Sequence, residues 1–300
     1  MTWFKRITFF AMVNLGIILM LSLITNLLGI RPYLDANGLN FGSLMIFCLI
    51  WGTGGAFISL WISKWMAKRV YGVQVIDARH PQLGWLVEMV HDFARRAQLP
   101  QMPEVGIYES PDMNAFATGP SKDNSLVAVS TGLLQKMRRN EIAGVLGHEV
   151  AHIANGDMVT MTLLQGVMNA FVMFAARVVA YLIDNSLRSN DEQRGGGLGV
   201  FGYMMTVFVF EMIFGLLGQM VTSYFSRHRE FRADKGGAKY SGRDSMISAL
   251  EALQRDYSIV DQTEEKSLAM MQISSKNRFI QLLSSHPSLD SRIEALRRFA

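Results

Sequence analysis

One cysteine stands in 300 residues, Cys48, and it lies inside an uncharged apolar stretch. A lone thiol excludes a disulfide framework and a thiolate metal site, so any metal would be held by histidine and carboxylate. Charge is scarce too: 18% of residues are charged and 50% hydrophobic, a low charged share for a soluble protein. No charge occurs from Ile7 to Ile30, nor from Ala36 to Ser63. The basic residues form no aromatic-interleaved patch, so the net charge of +4 implies no nucleic-acid partner. There is no internal repeat and no low-complexity tract beyond Gly195–Gly197. No small-x-small cleavage site follows the first apolar run, which is therefore expected to remain as an anchor.

The apolar runs point to a membrane class. The two uncharged runs are each long enough to cross a hydrocarbon core of roughly 30 Å as a helix. Two further runs carry one charge apiece: Met158–Ile183 holds Arg177 and Leu198–Ser226 holds Glu211. An isolated charge in a span is costly, and these two can neutralise one another across adjacent helices. About four spans are expected, in a multi-pass helical anchor. Lys5 and Arg6 precede the first; Lys64, Lys68 and Arg69 follow the second; Arg227, Arg229, Arg232 and Lys235 follow the fourth. The positive-inside rule then puts both termini, and everything between spans two and three, in the cytoplasm.

Four segments follow: a transmembrane hairpin (1–63), a first cytoplasmic part (64–157), a second hairpin (158–226) and a second cytoplasmic part (227–300). The first part opens with an amphipathic helix over Pro81–Gln98. Strands are expected at Glu104–Tyr108, Asn114–Thr118 and Leu126–Ser130, the last two joined by a turn-rich Gly119–Ser125. The second part reads as helices over Glu230–Tyr240, Asp244–Asp256, Lys276–Leu283 and Ser288–Phe299. The fold class is α+β, with a small antiparallel sheet.

The first cytoplasmic part ends in a helix that carries His148-Glu149-Val150-Ala151-His152. Histidines four apart on a helix share one face and can reach one metal ion, and a glutamate beside the first can touch water held there. Asn140 is positioned to cap this helix and Asn155-Gly156 to stop it. Glu149 falls inside the apolar stripe of Ile142, Val145 and Ile153, where a carboxylate needs a partner. Gly144, Gly147 and Ala151 leave the other flank bare for another backbone. Met158 opens an apolar run a few residues after His152, which predicts a site close to the bilayer surface.

Two histidines and a water leave a tetrahedral zinc one ligand short. His228 and Glu230 are the candidates, and two residues apart on a helix only one can face the metal. Asp234 shares Glu230's face and can accept the second N–H of a ligating histidine, which favours Glu230.

Taken with Asn114-Ala115-Phe116-Ala117-Thr118-Gly119, Arg229-Glu230-Phe231-Arg232-Ala233-Asp234 and Ser285-His286-Pro287-Ser288, the motif resembles the HtpX family of bacterial heat-shock membrane zinc metallopeptidases, related to the prenyl-protein (CAAX) endopeptidases. The resemblance covers essentially the whole chain. It implies a gluzincin-type catalytic core and one Zn2+ per subunit on His148, His152 and Glu230. It also implies Glu149 as general base and Asp234 as the family's second acidic position. The expected partners are the bilayer of a bacterial inner membrane and protein substrates, chiefly unfolded or misfolded membrane proteins. Asn114–Gly119 reads as an edge strand to which a substrate can add. His286 and Arg292 approach the active site in the family, where they can serve the substrate or transition state. The alternatives are a prenyl-protein-type processing peptidase, a non-catalytic zinc scaffold, and a transporter suggested by Arg177 and Glu211.

Overall fold

The computed structural model describes residues 40–189, 197–264 and 283–299. The run Ile7–Ile30, half of the stretch 184–197 and nearly all of the helix expected at Lys276–Leu283 lie outside the described residues. The elements run in the order α1 (Phe41–Arg69), β1 (Gln74–Ile76), α2 (Gly84–Arg96), β2 (Glu104–Tyr108), β3 (Ala115–Ser121), β4 (Asn124–Ser130), α3 (Thr131–Lys136), α4 (Arg139–Asn155), α5 (Asp157–Ser189), α6 (Gly199–Ser241), α7 (Arg243–Glu264) and α8 (Leu289–Arg297). Among the described residues three helices, α1, α5 and α6, are long and apolar enough to cross a membrane. The chain divides into two compact units, the described parts of Met1–Ile58 with Thr162–Thr222 and of Ser59–Met161 with Ser223–Ala300.

In the first unit small residues let helices α1 and α5 pack closely. A Cβ on Gly52 would stand 2.4 Å from the backbone nitrogen of Ala170, closer than atoms can approach. Phe41, Met45 and Cys48 pack with Phe174 and Val178. The lone charges of α5 and α6 meet: the guanidinium of Arg177 lies 2.7 Å from Glu211 Oε1. Each therefore loses water but gains a counter-charge, the arrangement an apolar medium demands.

The second unit holds a four-stranded sheet in the order β1-β2-β4-β3. It is mixed rather than antiparallel: β2 and β4 run parallel, Val105 opposite Val127 and Ile107 opposite Val129. The hairpin of β3 and β4 is also longer than its turn residues suggest. Pairing extends through Gly119 and Pro120 to Ser121 opposite Asn124, with an irregularity after Thr118. Gly119 has φ +139°, and a Cβ there would meet the Asn124 carbonyl at 2.1 Å, so the residue serves the hairpin rather than ending it. The short edge strand β1 has no counterpart among the expected strands; three largely exposed residues carry little periodic signal.

One face of the sheet and helix α2 enclose the main core. Leu86 and Val90 from α2, Val127 and Val129 from β4, and Leu146, Val150 and Ile153 from α4 are among its fully buried members. The bare flank of α4 faces α6 and α7. Cβ atoms on Gly144 and Gly147 would stand 2.3 Å from the Ser245 carbonyl and 3.0 Å from the Gly237 carbonyl. Glycine at 147 lets α6, and glycine at 144 lets α7, come this close to α4.

A candidate metal centre

Helix α4 carries His148, Glu149 and His152. Its N-cap is Arg138 rather than Asn140: the Arg138 backbone N–H donates to Glu141 Oε2 at 2.8 Å. A carboxylate in the first turn also suits the positive end of the helix dipole. Gly156 ends the helix in the left-handed region at φ 69°, as Asn155-Gly156 suggests.

Helix α6 supplies Glu230 and Asp234, four residues apart on one face, each almost fully buried. His228 points away to the surface, where its Nδ1 lies 3.1 Å from the Tyr224 carbonyl. Of the two candidates for a third ligand, Glu230 is the one that meets the histidines. Nε2 of His148 lies 3.0 Å from Nε2 of His152. These nitrogens stand 3.4 and 3.3 Å from Glu230 Oε2 and Oε1. Among the described residues, His148, His152 and Glu230 form a group that can hold a metal ion. Ligands about 2.0–2.1 Å from a tetrahedral zinc stand about 3.3 Å apart, so the triangle has the size such an ion needs.

The surroundings make the same demand chemically. Each imidazole has a carboxylate at its far nitrogen: His148 Nδ1 is 2.9 Å from Asp234 Oδ1, and His152 Nδ1 is 2.7 Å from Asp157 Oδ2. With both Nδ1–H groups donated to carboxylates, both Nε2 atoms present lone pairs. They converge with Glu230 Oε2, a buried oxygen with no hydrogen bond of normal geometry. Three acceptors facing one another need a cation. Burial by itself would lower the His148 pKa, but Asp234 and Glu230 outweigh it and raise it to about 9. Burial opposes charge on Glu230 as well, yet His148, His152 and His286 hold it ionised.

Arginines brace the carboxylates. Arg292 from α8 is buried and grips Asp234 with two bonds, Nε to Oδ2 at 2.8 Å and Nη2 to Oδ1 at 2.6 Å. Arg232 reaches Asp157 Oδ1 at 2.5 Å, and Arg229 reaches Glu230 Oε1 at 3.2 Å. Arg229 and Arg232, which composition alone would assign to lipid headgroups, face acids of the site, and Arg227 donates to the Ser284 carbonyl at 2.8 Å. Asp157 is the residue that sequence reasoning missed. Its signal is slight: an acid just past a helix-stopping glycine, five positions beyond His152.

The metal triangle opens on a cleft of about 1100 Å³ lined by His148, Glu149, Glu230, Asn114, His286 and Arg292 among others. Glu149 is buried to 9% exposure on its wall. Asn114 stands just before β3, its backbone N–H donating to Ser130 Oγ at 3.1 Å. His286 has a largely exposed side chain whose Nδ1 approaches Glu230 Oε2 to 3.0 Å. Asn114, His148, Glu149, Glu230, His286 and Arg292 thus border one cleft, His152 and Asp234 each contact His148, and His228 lies apart at the surface.

Residues 81–300 match peptidase family M48. Protease HtpX of Shewanella pealeana is 52% identical over 98% of this chain and 99% of its own length. Protease HtpX of Shewanella oneidensis is 51% identical over the same shares. In fold, the chain is similar to the crystal structure of S. mikatae Ste24p, with a TM-score of 0.60 at 19% identity. That match takes in 94% of this chain, which spans 65% of the length of that one. With the family match running over most of its length and high identity over nearly all of it, the chain belongs to peptidase family M48, a family of metallopeptidases.

Proposed function

We propose that this membrane metallopeptidase is a zinc endopeptidase that cleaves unfolded or misfolded membrane proteins at the cytoplasmic face of a bacterial inner membrane. The observation that carries the reading is the triangle of His148, His152 and Glu230 beside Glu149, on a cleft bordered by the edge strand β3. His148, His152 and Glu230 would hold one zinc ion per chain. Bound there, zinc supplies a Lewis acid for the scissile carbonyl and lowers the pKa of water to about 7.

The protein's own groups do the rest. Glu149 takes the proton of the attacking water and returns it to the leaving amine. Asp234 and Asp157 fix the tautomer and direction of the two imidazoles. Arg292 acts through Asp234, whose two oxygens it occupies, and is a positioning residue. His286, at the rim, is the donor available to a developing oxyanion. An extended substrate segment would add to β3 by main-chain hydrogen bonds, with Asn114 at its start. The alternation of apolar runs and charged flanks supports four membrane segments, at 1–63 and 158–226, between cytoplasmic parts at 64–157 and 227–300. A gluzincin-like core assembled from the two cytoplasmic parts is in keeping with third-ligand supply from α6.

Two measurements test this reading. Chelation of the detergent-purified protein should abolish cleavage of casein, an unfolded substrate, and one equivalent of zinc should restore it. Full activity after complete zinc removal would overturn the metal's role. Asp157→Asn should lower zinc affinity by about 10–100-fold in a competition titration. Equal affinity in the variant would show that the contact with His152 orients nothing.

A further inference from the structure

Strand β3 has a cleft on each of its faces. Successive side chains of a strand point to opposite sides of the sheet. Ala115 and Ala117 pack toward the core shared with α2 and α4. Phe116 packs on the other face, against the cluster of Tyr108, Leu126 and Ala128. The catalytic cleft meets the strand at Asn114 and Ala115. A second cleft of about 730 Å³ opens beside Phe116, Ala117 and Thr118, with the Phe116 ring in its wall. Its further walls include Tyr108, Ser63, Met66 and Tyr71, and Asn114 lines both clefts.

This second cleft has an aromatic wall of Phe116, Tyr71 and Tyr108, and its polar lining includes Ser59, Ser63, Glu109 and Ser110. Phe116 contacts Tyr71 and Tyr108 with ring centroids 5.9 and 5.5 Å away. Tyr71 nevertheless keeps 62% of its surface exposed, so the aromatic wall faces outward. The Tyr108 hydroxyl is buried near Asn114 without closing a hydrogen bond of normal geometry. The wall contributed by α1 is pinned to the sheet: Lys64 and Lys68 lie 3.1 and 2.6 Å from the Glu104 carboxylate. Lys64 also donates to Asn124 Oδ1 at 2.6 Å.

We propose that the second cleft is a specificity pocket for a large apolar side chain of the same substrate strand whose scissile bond lies at Glu149. The inference rests on the endopeptidase reading given above. Among the described residues β3 pairs only with β4, so its other edge is open to an added strand. A segment lying along that edge sends alternate side chains to the two faces of the sheet. If one residue faces the catalytic cleft, its sequence neighbours face the aromatic wall. The continuity of the two clefts through Asn114 makes the substrate their common occupant. Selectivity should therefore fall on one substrate position and skip its immediate neighbours, with a large apolar residue favoured there about tenfold or more over alanine.

The test uses synthetic peptides spanning one cleavage site mapped in casein, with phenylalanine or alanine placed in turn at each flanking position. The readout is the ratio of kcat/KM for the two peptides at each position, for the wild type, Tyr71→Ala and Ser63→Trp. The ratio compares two peptides on one preparation, so a partly folded variant does not distort it. The wild type should show a ratio of at least about ten at one position and low ratios at its immediate neighbours. Tyr71→Ala, which removes the exposed wall, and Ser63→Trp, which fills the cleft, should bring that ratio toward one. A wild type without such a preference overturns the proposal. So does a preference that survives both variants, or an equal loss of both peptides in both. If Glu149→Gln cleaves the peptides as fast as the wild type, the endopeptidase reading itself falls, and the pocket with it.

Discussion

Glu149→Gln should slow cleavage of an unfolded protein by about 10²–10⁴-fold, the range that a positioned general acid–base contributes. Zinc content and thermal stability should stay at the wild-type level. Glutamine has the same shape and remains on the same wall of the cleft, but its amide cannot take a proton from water at neutral pH. Glu149 also lies outside the triangle of His148, His152 and Glu230, so its substitution leaves the ligands in place. The contrast between intact metal and lost turnover separates a catalyst from a scaffold that keeps a metal for stability. A variant that loses zinc along with activity would show that Glu149 belongs to the ligand set instead.

Glu230→Ala should abolish stoichiometric zinc binding, whereas His228→Ala should leave it unchanged. The two residues are neighbours on α6, yet Glu230 is fully buried between both imidazoles and His228 is at the surface. Losing Glu230 removes the only anion placed between the two Nε2 atoms among the described residues, and leaves Arg292 and His286 facing a void. Breaking a buried charge network by removing one partner costs about 3–5 kcal/mol, so the metal-free variant should also unfold at a lower temperature. Elemental analysis of the purified proteins, beside thermal unfolding in detergent, checks both parts. Undiminished zinc in Glu230→Ala would return the third ligand to another residue.

The site was legible in the sequence where it obeys helical spacing. His148 and His152 at i and i+4, and Glu230 and Asp234 likewise, need only the geometry of one helix each. The bare flank of Gly144 and Gly147 foretold a close backbone neighbour, and the Ser245 and Gly237 carbonyls occupy it. The contacts that spacing misses are those between elements. Asp157 and Arg232 are 75 residues apart, and no local pattern ties either to His152. The arginines of α6 look like headgroup contacts because they directly follow the apolar run Leu198–Ser226; only the fold turns Arg229 and Arg232 toward acids. The mixed order of the sheet was hidden for a similar reason, since strand periodicity says which residues face inward and nothing about direction.

The membrane part followed the same logic. One charge per apolar run implied a pair, and Arg177 and Glu211 are in contact. Because each charge already has its partner, the observation that suggested a transport pathway has a structural explanation. The hairpin of β3 and β4 shows the opposite error. Gly119 and Pro120 read as turn residues, yet they lie within the strand beside an irregularity in its pairing. The strand that borders both clefts therefore runs on to Ser121.

The most direct test of the account is the position of the metal itself. Crystals of Glu149→Gln grown with zinc, a variant that cannot digest itself, should give one anomalous peak at the zinc edge per chain. The account predicts that peak among His148 Nε2, His152 Nε2 and the Glu230 carboxylate, about 2.0–2.2 Å from each. A peak elsewhere, or none there with zinc in excess, would contradict it.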